Sequence, residues 1–432
     1  MRNIFSIRNN KIRLLAPHNI RQRLYKRFSS RPAKNITKKY DSHIPLSYQN
    51  PIKMRAGLAA ATLHTAFPPC YFPVYAVDYG QHSSRPMNLK VGIVGLPNVG
   101  KSTLFSALTK TKIDIANYPF TTIDPNVGVV SVADPRLEQL SALSHSAKTI
   151  SAVVEFVDIA GLVKGAAAGE GLGNKFLSHI REVDAICEVV RGFSDPSIIH
   201  TLSNPDPQRD IEVINTELVL KDLETIGRAL EKAKSDLKAG AAKEQLFKIA
   251  TLEKAQKALN DGVLASTVGF SAEESEVLQP LTLLTHKPFL YVLNVAHESE
   301  QITLPGIDFI YLNIRNELDA SDLSLAEQEE LGVAAHVDEL ITRAYQSLGL
   351  ITFFTTGEDE TRAWTIVRGS TAPVAGSAIH SDFQEQFIKA MVVPWDKLLA
   401  AGGWPQAAKN GWVQTCGKDY IVADGDVIEF KI

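Results

Sequence analysis

The sequence of 432 residues predicts an α/β fold, followed by a smaller sheet-rich domain, and three observations carry this prediction. An apolar run at 90–94 leads into a glycine-rich loop and then a helix, the order typical of α/β sheets. A second apolar run, at 153–157, ends in Asp158. After Leu350 the pattern changes to short apolar runs separated by Gly, Asp and Pro, which is typical of a small β domain.

The overall composition excludes two other classes of protein. Apolar residues make up 45% of the chain and charged residues 22%, which is ordinary for a globular protein. Neither a coiled-coil rod nor a polytopic membrane protein fits these proportions.

The first 90 residues differ in charge from the rest of the chain. They hold 16 Lys and Arg against Asp41 and Asp78, which leaves 29 basic and 46 acidic residues, a net charge of −17, for 91–432. Residues 1–40 contain twelve basic residues, no acidic ones and interspersed apolar side chains, the profile of a mitochondrial transit peptide. We therefore predict a mitochondrial matrix protein. The alternative is a disordered basic arm that touches nucleic acid or an anionic surface.

Residues 41–88 are predicted to be a linker. The run from Ala56 to Val77 carries no charge and is long enough to span a bilayer, but Pro68, Pro69 and Pro73 interrupt it. We therefore predict no membrane span. Translation from Met87, just before the first strand, would instead give a cytoplasmic protein.

The glycine-rich loop has the pattern G-x-x-x-x-G-K-S, from Gly95 to Ser102, between a strand and a helix. Glycines allow backbone N–H groups to surround a phosphate, and the helix amino terminus adds partial positive charge. Lys101 supplies a full charge to the outer phosphates, and Ser102 is a ligand for Mg²⁺. The predicted nucleotide-binding residues of this loop are Asn98, Val99, Gly100, Lys101, Ser102 and Thr103.

Two further segments complete the predicted metal and phosphate site. Asp158 begins a D-x-x-G motif at the end of its strand, so we expect it to hold Mg²⁺ through water. The N–H of Gly161 is placed to contact the γ-phosphate. Thr122 lies in a loop between the two motifs and is expected to close onto the metal when a triphosphate binds. Ser102, Thr122 and Asp158 are therefore the predicted metal ligands.

A helical hairpin is predicted between these motifs and the β domain. Apolar residues recur at steps of three and four from Ile211 to Leu237, which indicates an amphipathic helix. Gly240 is expected to end it, and a second helical pattern follows from Leu246 to Leu259.

Several long motifs in order resemble the Obg-like ATPase (YchF) family over residues 88–432. This resemblance implies an OBG-type P-loop domain at 89–347, with the hairpin inserted at about 206–280, and a TGS domain of ubiquitin-like β-grasp shape at 348–432. It also implies a ribosomal partner, here the large subunit or the mitochondrial ribosome. The motifs are GLPNVGKSTLF, NYPFTTIDPNVGVV, DPRLEQL, DIAGLVKGAAAGEGLGNKFLSHIREVDAI, RAWTI and GKDYIVADGDVIEF.

The predicted base site comprises Asn294 and Val295 and favours ATP over GTP. GTPases of this class read guanine with the carboxylate of N-K-x-D, and the family resembled here has N-x-x-E. In this chain His297 stands at the fourth position, and Glu298 follows one residue late. Without the carboxylate, guanine loses two charge-assisted hydrogen bonds. A one-residue shift of the loop could still bring Glu298 into place, and the segment around Asn313 has no assigned base contact.

The predicted catalytic residues are Lys101, Gly161 and His200. Leu162 stands where Ras-like enzymes place the glutamine that orients water, so we expect slow intrinsic hydrolysis. The family resemblance suggests that His200 positions this water. Asn98 resembles the asparagine with which some related enzymes hold K⁺ beside the phosphates.

These features predict an enzyme that acts as a switch: Mg·ATP orders two loops, and hydrolysis releases them. Two alternatives stay open. One is a GTP-specific ribosome assembly factor, and the other is a nucleotide-stabilised binding module in which hydrolysis is incidental. Nothing indicates sequence-specific binding to DNA.

Overall fold

The computed structural model describes the chain in nine stretches. The predicted leader and linker, and also Thr122, Gly161, Leu162, His200, Gly240 and Glu298, lie outside them. All described residues belong to one compact unit, Tyr75–Ile432. Within them, no helix has the length and apolar character that a membrane crossing needs. The described stretches are 89–110, 125–159, 172–195, 205–238, 243–297, 302–321, 323, 327–328 and 336–432.

The first sheet has six strands in the order β2-β4-β1-β5-β6-β7. All neighbouring pairs are parallel except β2 with β4. Parallel strands end at the same edge, so the residues that follow β1, β4, β5 and β6 meet there. The strands are β1 (Lys90–Val94), β2 (Val127–Ser131), β4 (Val153–Asp158), β5 (Ala185–Arg191), β6 (Phe289–Asn294) and β7 (Phe309–Leu312), with β3 (Lys148–Ile150) belonging to the second sheet.

Helices cover both faces of this sheet, which confirms the predicted α/β class. The first helix buries Leu104, Ala107 and Leu108, three positions on one helical face, and Leu104 and Leu108 belong to the main hydrophobic core. The covering helices are α1 (Lys101–Lys110), α3 (Leu172–Glu182), α7 (Ile314–Ala320) and α8 (Val337–Ser347), whereas α2 (Pro135–Ser144) packs on strands of the second sheet.

The predicted helical pair is present as α4 (Pro207–Lys238) and α5 (Lys243–Asn260), and the short α6 (Ala272–Leu278) packs beside it. The two ends of α4 have different partners. Ile214 and Leu218 pack against the sheet, whereas Ile226 and Leu230 pack with α5. Buried Asp222, between these ends, accepts hydrogen bonds from the backbone N–H groups of Leu284 and Thr285 at 2.9 and 2.7 Å.

The second sheet contains the predicted carboxy-terminal strands and one strand from the first half of the chain. Its order is β11-β10-β12-β8-β9-β3, and β3 runs parallel to β9. The other elements are β8 (Leu350–Thr356), β9 (Glu360–Val367), α9 (Ala372–Ser377), α10 (Ser381–Glu385), β10 (Lys389–Pro394), α11 (Trp395–Ala401), α12 (Trp404–Lys409), β11 (Gln414–Cys416) and β12 (Asp426–Lys431).

Arg136 at the start of α2 connects this helix to the second sheet. Its guanidinium donates to Asp134 and to Asp424, each at 2.7 Å, and lies over the ring of Phe354. Asp424 also accepts from the N–H of Thr352 at 2.9 Å. A planar guanidinium serves several acceptors at once, so one side chain links α2, β8 and the loop before β12.

Glu188 is the polar exception in the middle of the first sheet. It is fully buried on β5 between Val94 of β1 and Tyr291 of β6, and its carboxyl oxygens have no hydrogen-bond partner. Burial, with the charge of Asp210 in the first turn of α4, raises the pKa of Glu188 well above its ordinary value. The folded protein therefore keeps a proton here that the unfolded chain releases.

The gain in stability from Glu188→Gln, relative to the wild type, should increase as pH rises. The wild type loses stability from about pH 4.5 upward, because ionising Glu188 is harder in the folded state. Each unit of pKa shift corresponds to about 1.4 kcal/mol, and glutamine has no such loss. Unfolding midpoints of the two proteins between pH 5 and pH 8 measure the effect. A difference that stays constant with pH would contradict it, and Glu244→Gln on the exposed face of α5 is the control.

Candidate functional site

The glycine-rich loop between β1 and α1 has a backbone conformation that requires glycine at two positions. Gly95 and Gly100 have φ values of +147° and +108°, and Asn98 has +63°. A Cβ at Gly95 would lie 2.4 Å from the carbonyl oxygen of Val189 on β5, and one at Gly100 would lie 2.7 Å from Nδ2 of Asn294. Both glycines are therefore required by close approach as well as by φ.

Lys101 is the first residue of α1 and holds its charge inside the loop. Only 9% of the residue is exposed, and its ammonium donates to the carbonyl oxygen of Leu96 at 2.6 Å. The helix starts at the same place, since the N–H of Leu104 donates to the carbonyl of Gly100 at 2.9 Å. The positive end of a helix and a lysine ammonium thus coincide, as a phosphate site requires.

The structure brings together two of the three predicted metal ligands. Ser102 Oγ donates to Asp158 Oδ2 at 3.0 Å. Asp158 is the last residue of β4 and is 5% exposed. It lies opposite Ile93 of β1, so the parallel register of the two strands places its carboxylate beside the loop that follows β1. A hydroxyl and a carboxylate are hard oxygen ligands and fit Mg²⁺.

Asn294 is the last residue of β6, and its side chain is hydrogen-bonded to the glycine-rich loop. Its Nδ2 donates to the carbonyl of Val99 at 2.9 Å, and its Oδ1 accepts from the N–H of Ile314 at 3.3 Å. The residue is 8% exposed. Its carboxamide therefore fixes the loop and the start of α7, a positioning role that the sequence pattern alone did not distinguish from base contact.

The remaining predicted nucleotide-binding residues divide by exposure. The side chains of Val99 and Val295 are buried in the core, so only their backbone groups are available to a nucleotide. Asn98 and Ser102 are exposed, and Thr103 is half-buried.

The base side of the site contains one residue that the sequence analysis left unassigned. His297, the fourth residue of the motif that begins with Asn294 at the end of β6, is exposed. Asn313, directly before α7, donates from Nδ2 to the carbonyl of Ala296 at 2.6 Å. An Asn before a helical pattern signals an N-cap, but its second bond to a distant loop leaves no mark in the sequence.

Two protein-family models match the chain. Residues 350–432 match YchF-GTPase_C, described as a protein of unknown function (DUF933). Residues 90–234 match MMR_HSR1, described as a 50S ribosome-binding GTPase.

Close relatives extend the similarity over most of the chain. The ribosome-binding ATPase YchF of Bacillus subtilis (strain 168) is 46% identical over 364 residues, and that of Escherichia coli O157:H7 is 43% identical over 360. Each match covers 80% of this chain and 99% of the relative. The structure of the Schizosaccharomyces pombe YchF GTPase superposes with a TM-score of 0.74 at 35% identity, covering 80% of this chain and 99% of that one.

Two Gly→Ala substitutions should have opposite effects. Gly100→Ala forces a Cβ against Asn294 at a positive φ and should cost on the order of 1–3 kcal/mol of stability, together with most nucleotide binding. Gly227→Ala lies inside α4 with no atom near its Cβ position and should stabilise by about 0.5–1 kcal/mol. Urea unfolding and nucleotide titration of both variants measure these effects. A Gly100→Ala protein with wild-type nucleotide affinity would contradict the close approach of Asn294.

Proposed function

This chain belongs to the YchF family, and from that premise we propose that it is a Mg²⁺-dependent ATPase switch that associates with ribosomes. It is a P-loop nucleoside triphosphate hydrolase. Its relatives are named ribosome-binding ATPases. The observation that carries the proposal is the pairing of Ser102 with Asp158 beside the buried ammonium of Lys101.

The described residues divide the phosphate chemistry among them. The backbone N–H groups of the glycine-rich loop and the ammonium of Lys101 bind and orient the phosphates. Ser102 and Asp158 would hold Mg²⁺, which neutralises the charge that develops on the transferred phosphoryl group. The exposed side chain of Asn98 is our candidate for holding K⁺ at the same phosphates.

We propose ATP over GTP as the nucleotide because of the residue at the fourth position of the motif that begins with Asn294. Guanine presents a ring N–H and an exocyclic amine that need a carboxylate, and His297 cannot accept both hydrogen bonds. A site that lacks this acceptor loses its preference for guanine. GTP is therefore expected to bind more weakly.

The hydrolytic step is proposed to be slow and to control the surrounding loops. Leu162 cannot orient water as a glutamine does, and His200 is the candidate that takes this task. Thr122 and Gly161 are proposed to contact the metal and the γ-phosphate when ATP is bound. Release of these contacts on hydrolysis is the switch.

Contact with the ribosome has to be local, because the chain after residue 90 carries a net charge of −17. Bulk electrostatics therefore oppose binding to RNA. The hairpin offers one set of basic side chains at its surface. Among the described residues of the hairpin, the exposed lysines are Lys232, Lys234, Lys243, Lys248, Lys254 and Lys257. Lys234 and Lys254 form salt bridges with Glu253 and Glu274.

Lys101→Ala tests the enzymatic part of this proposal in the full chain. Loss of the ammonium should weaken ATP binding about ten- to a hundredfold and abolish phosphate release, because it removes charge-assisted hydrogen bonds. Phosphate release with Mg²⁺ and K⁺, and co-sedimentation with ribosomes, are the measurements. Lys110→Ala, at the other end of α1, is the matched control.

Phosphate release by the wild type decides between an enzyme and a binding module. Undetectable phosphate release from the wild type, with ribosome association unchanged in Lys101→Ala, would favour a binding module in which hydrolysis is incidental. A wild type that hydrolyses ATP and a variant that does not are the results we expect.

Residues 1–40 are proposed to direct the protein to the mitochondrial matrix. Twelve basic residues without an acidic one support this. The full chain with a carboxy-terminal fluorescent tag should accumulate in mitochondria, and a chain that begins at Met87 should stay in the cytoplasm. Equal distribution of the two would contradict the targeting role.

A further inference from the structure

The loop that follows β6 is held at three consecutive residues. The carbonyl of Asn294 accepts from the N–H of Gly192 at 2.8 Å. The N–H of Val295 donates to the carbonyl of Leu312 at 3.0 Å. The carbonyl of Ala296 accepts from Nδ2 of Asn313 at 2.6 Å. With these three positions fixed, His297 is the first residue of the loop without a described backbone hydrogen bond to the sheet or to α7.

Asn313 makes the outermost of these bonds and also caps a helix. Its Oδ1 accepts from the N–H of Asn316 at 3.1 Å, as an N-cap does at the start of α7. The two ends of one carboxamide thus join α7 to the loop. An amide can do both, because it has a donor and an acceptor on a short side chain.

The helix that carries Asn313 is itself firmly placed. Ile314 is buried in the main core, and its N–H donates to Asn294. The carboxylate of Glu317 is buried and accepts from the N–H groups of His336 and Val337, at 3.0 and 3.1 Å, at the start of α8. The bond from Asn313 to Ala296 therefore ties the loop to a rigid part of the fold.

A shift of the loop by one residue would break at least one of these bonds. Glu298 takes the place of His297 in two cases only. Either every residue from Asn294 onward moves into the place of the residue before it, or one residue bulges out of the loop at Ala296. The first change loses the hydrogen bonds of Asn294 and Val295. The second loses the bond between Ala296 and Asn313.

We propose that Asn313 is a positioning residue for base selection, which keeps His297 at the base-reading position and Glu298 one residue too late to read guanine. This inference rests on the proposed preference for ATP. It assigns the discrimination against GTP to the bond between Asn313 and Ala296 as well as to the identity of residue 297.

Asn313→Asp separates the two tasks of this side chain. Aspartate keeps the acceptor that caps α7 and loses the donor to Ala296. The unfolding midpoint should change little, because the attraction of a carboxylate to the start of the helix offsets the lost hydrogen bond. Release of Ala296 should raise the affinity for GTP relative to ATP about three- to tenfold, the effect of one hydrogen bond. Asn313→Ser, whose shorter hydroxyl still caps the helix, should behave in the same way.

Glu298→Gln is the matched control, made in the wild type and in Asn313→Asp. We expect no change in the ratio of GTP to ATP affinity in the wild type, and a return to the wild-type ratio in the double variant. Displacement of a fluorescent ADP analogue by ATP and by GTP, on the full chain with Mg²⁺, measures all four proteins. His297→Asp provides a positive control, since it places a carboxylate at the fourth position.

The outcomes separate this inference from the proposed function. An unchanged ratio in Asn313→Asp, or an effect of Glu298→Gln in the wild type, would overturn the role of Asn313. Tighter GTP than ATP binding by the wild type, with Glu298→Gln silent, would instead refute the proposed preference for ATP. In that case the ratio in Asn313→Asp still decides whether Asn313 positions the loop.

Discussion

The rest of the site depends on the two hydrogen bonds of the Asn294 carboxamide. It binds the carbonyl of Val99 in the glycine-rich loop and the N–H of Ile314 at the start of α7. Both bonds are shielded from water, where an unmade hydrogen bond costs most. Gly100 is required because Asn294 approaches so closely. The glycine-rich loop, the loop after β6 and α7 are therefore one assembly, and the proposed metal ligands Ser102 and Asp158 are placed relative to it by the parallel register of β1 and β4.

The segment after the predicted Thr122 loop is built into both sheets. It forms β2 in the first sheet and β3 in the second, with α2 between them. Arg136 on α2 binds Asp424 next to β12, and Ser146 contacts Thr361 of β9. The carboxy-terminal domain is thus joined to the strand that follows a proposed nucleotide-sensing loop. This connection is a physical route between the proposed nucleotide-sensing loop and the second sheet.

Local patterns predicted much of this structure, and the remainder depends on contacts between distant residues. The P-loop follows from the glycine spacing, the roles expected of Ser102 and Asp158 from their two motifs, and α4 from its periodicity. The pairing of β3 with β9 joins segments about 210 residues apart and has no local signal. Which strands are neighbours also decides three other features: the hydrogen bonds of Asn294 to the glycine-rich loop and α7, the second bond of Asn313, and the burial of Glu188.

The most direct test of this account is a crystal structure of the full chain with Mg²⁺ and a non-hydrolysable ATP analogue. The account predicts the metal on Ser102 Oγ with Asp158 reached directly or through water, the phosphates against the N–H groups of residues 98–103, and the adenine beside residues 295–297. It also predicts that the bond between Asn294 and Val99 persists. A nucleotide bound elsewhere, or a metal remote from Ser102 and Asp158, would contradict it.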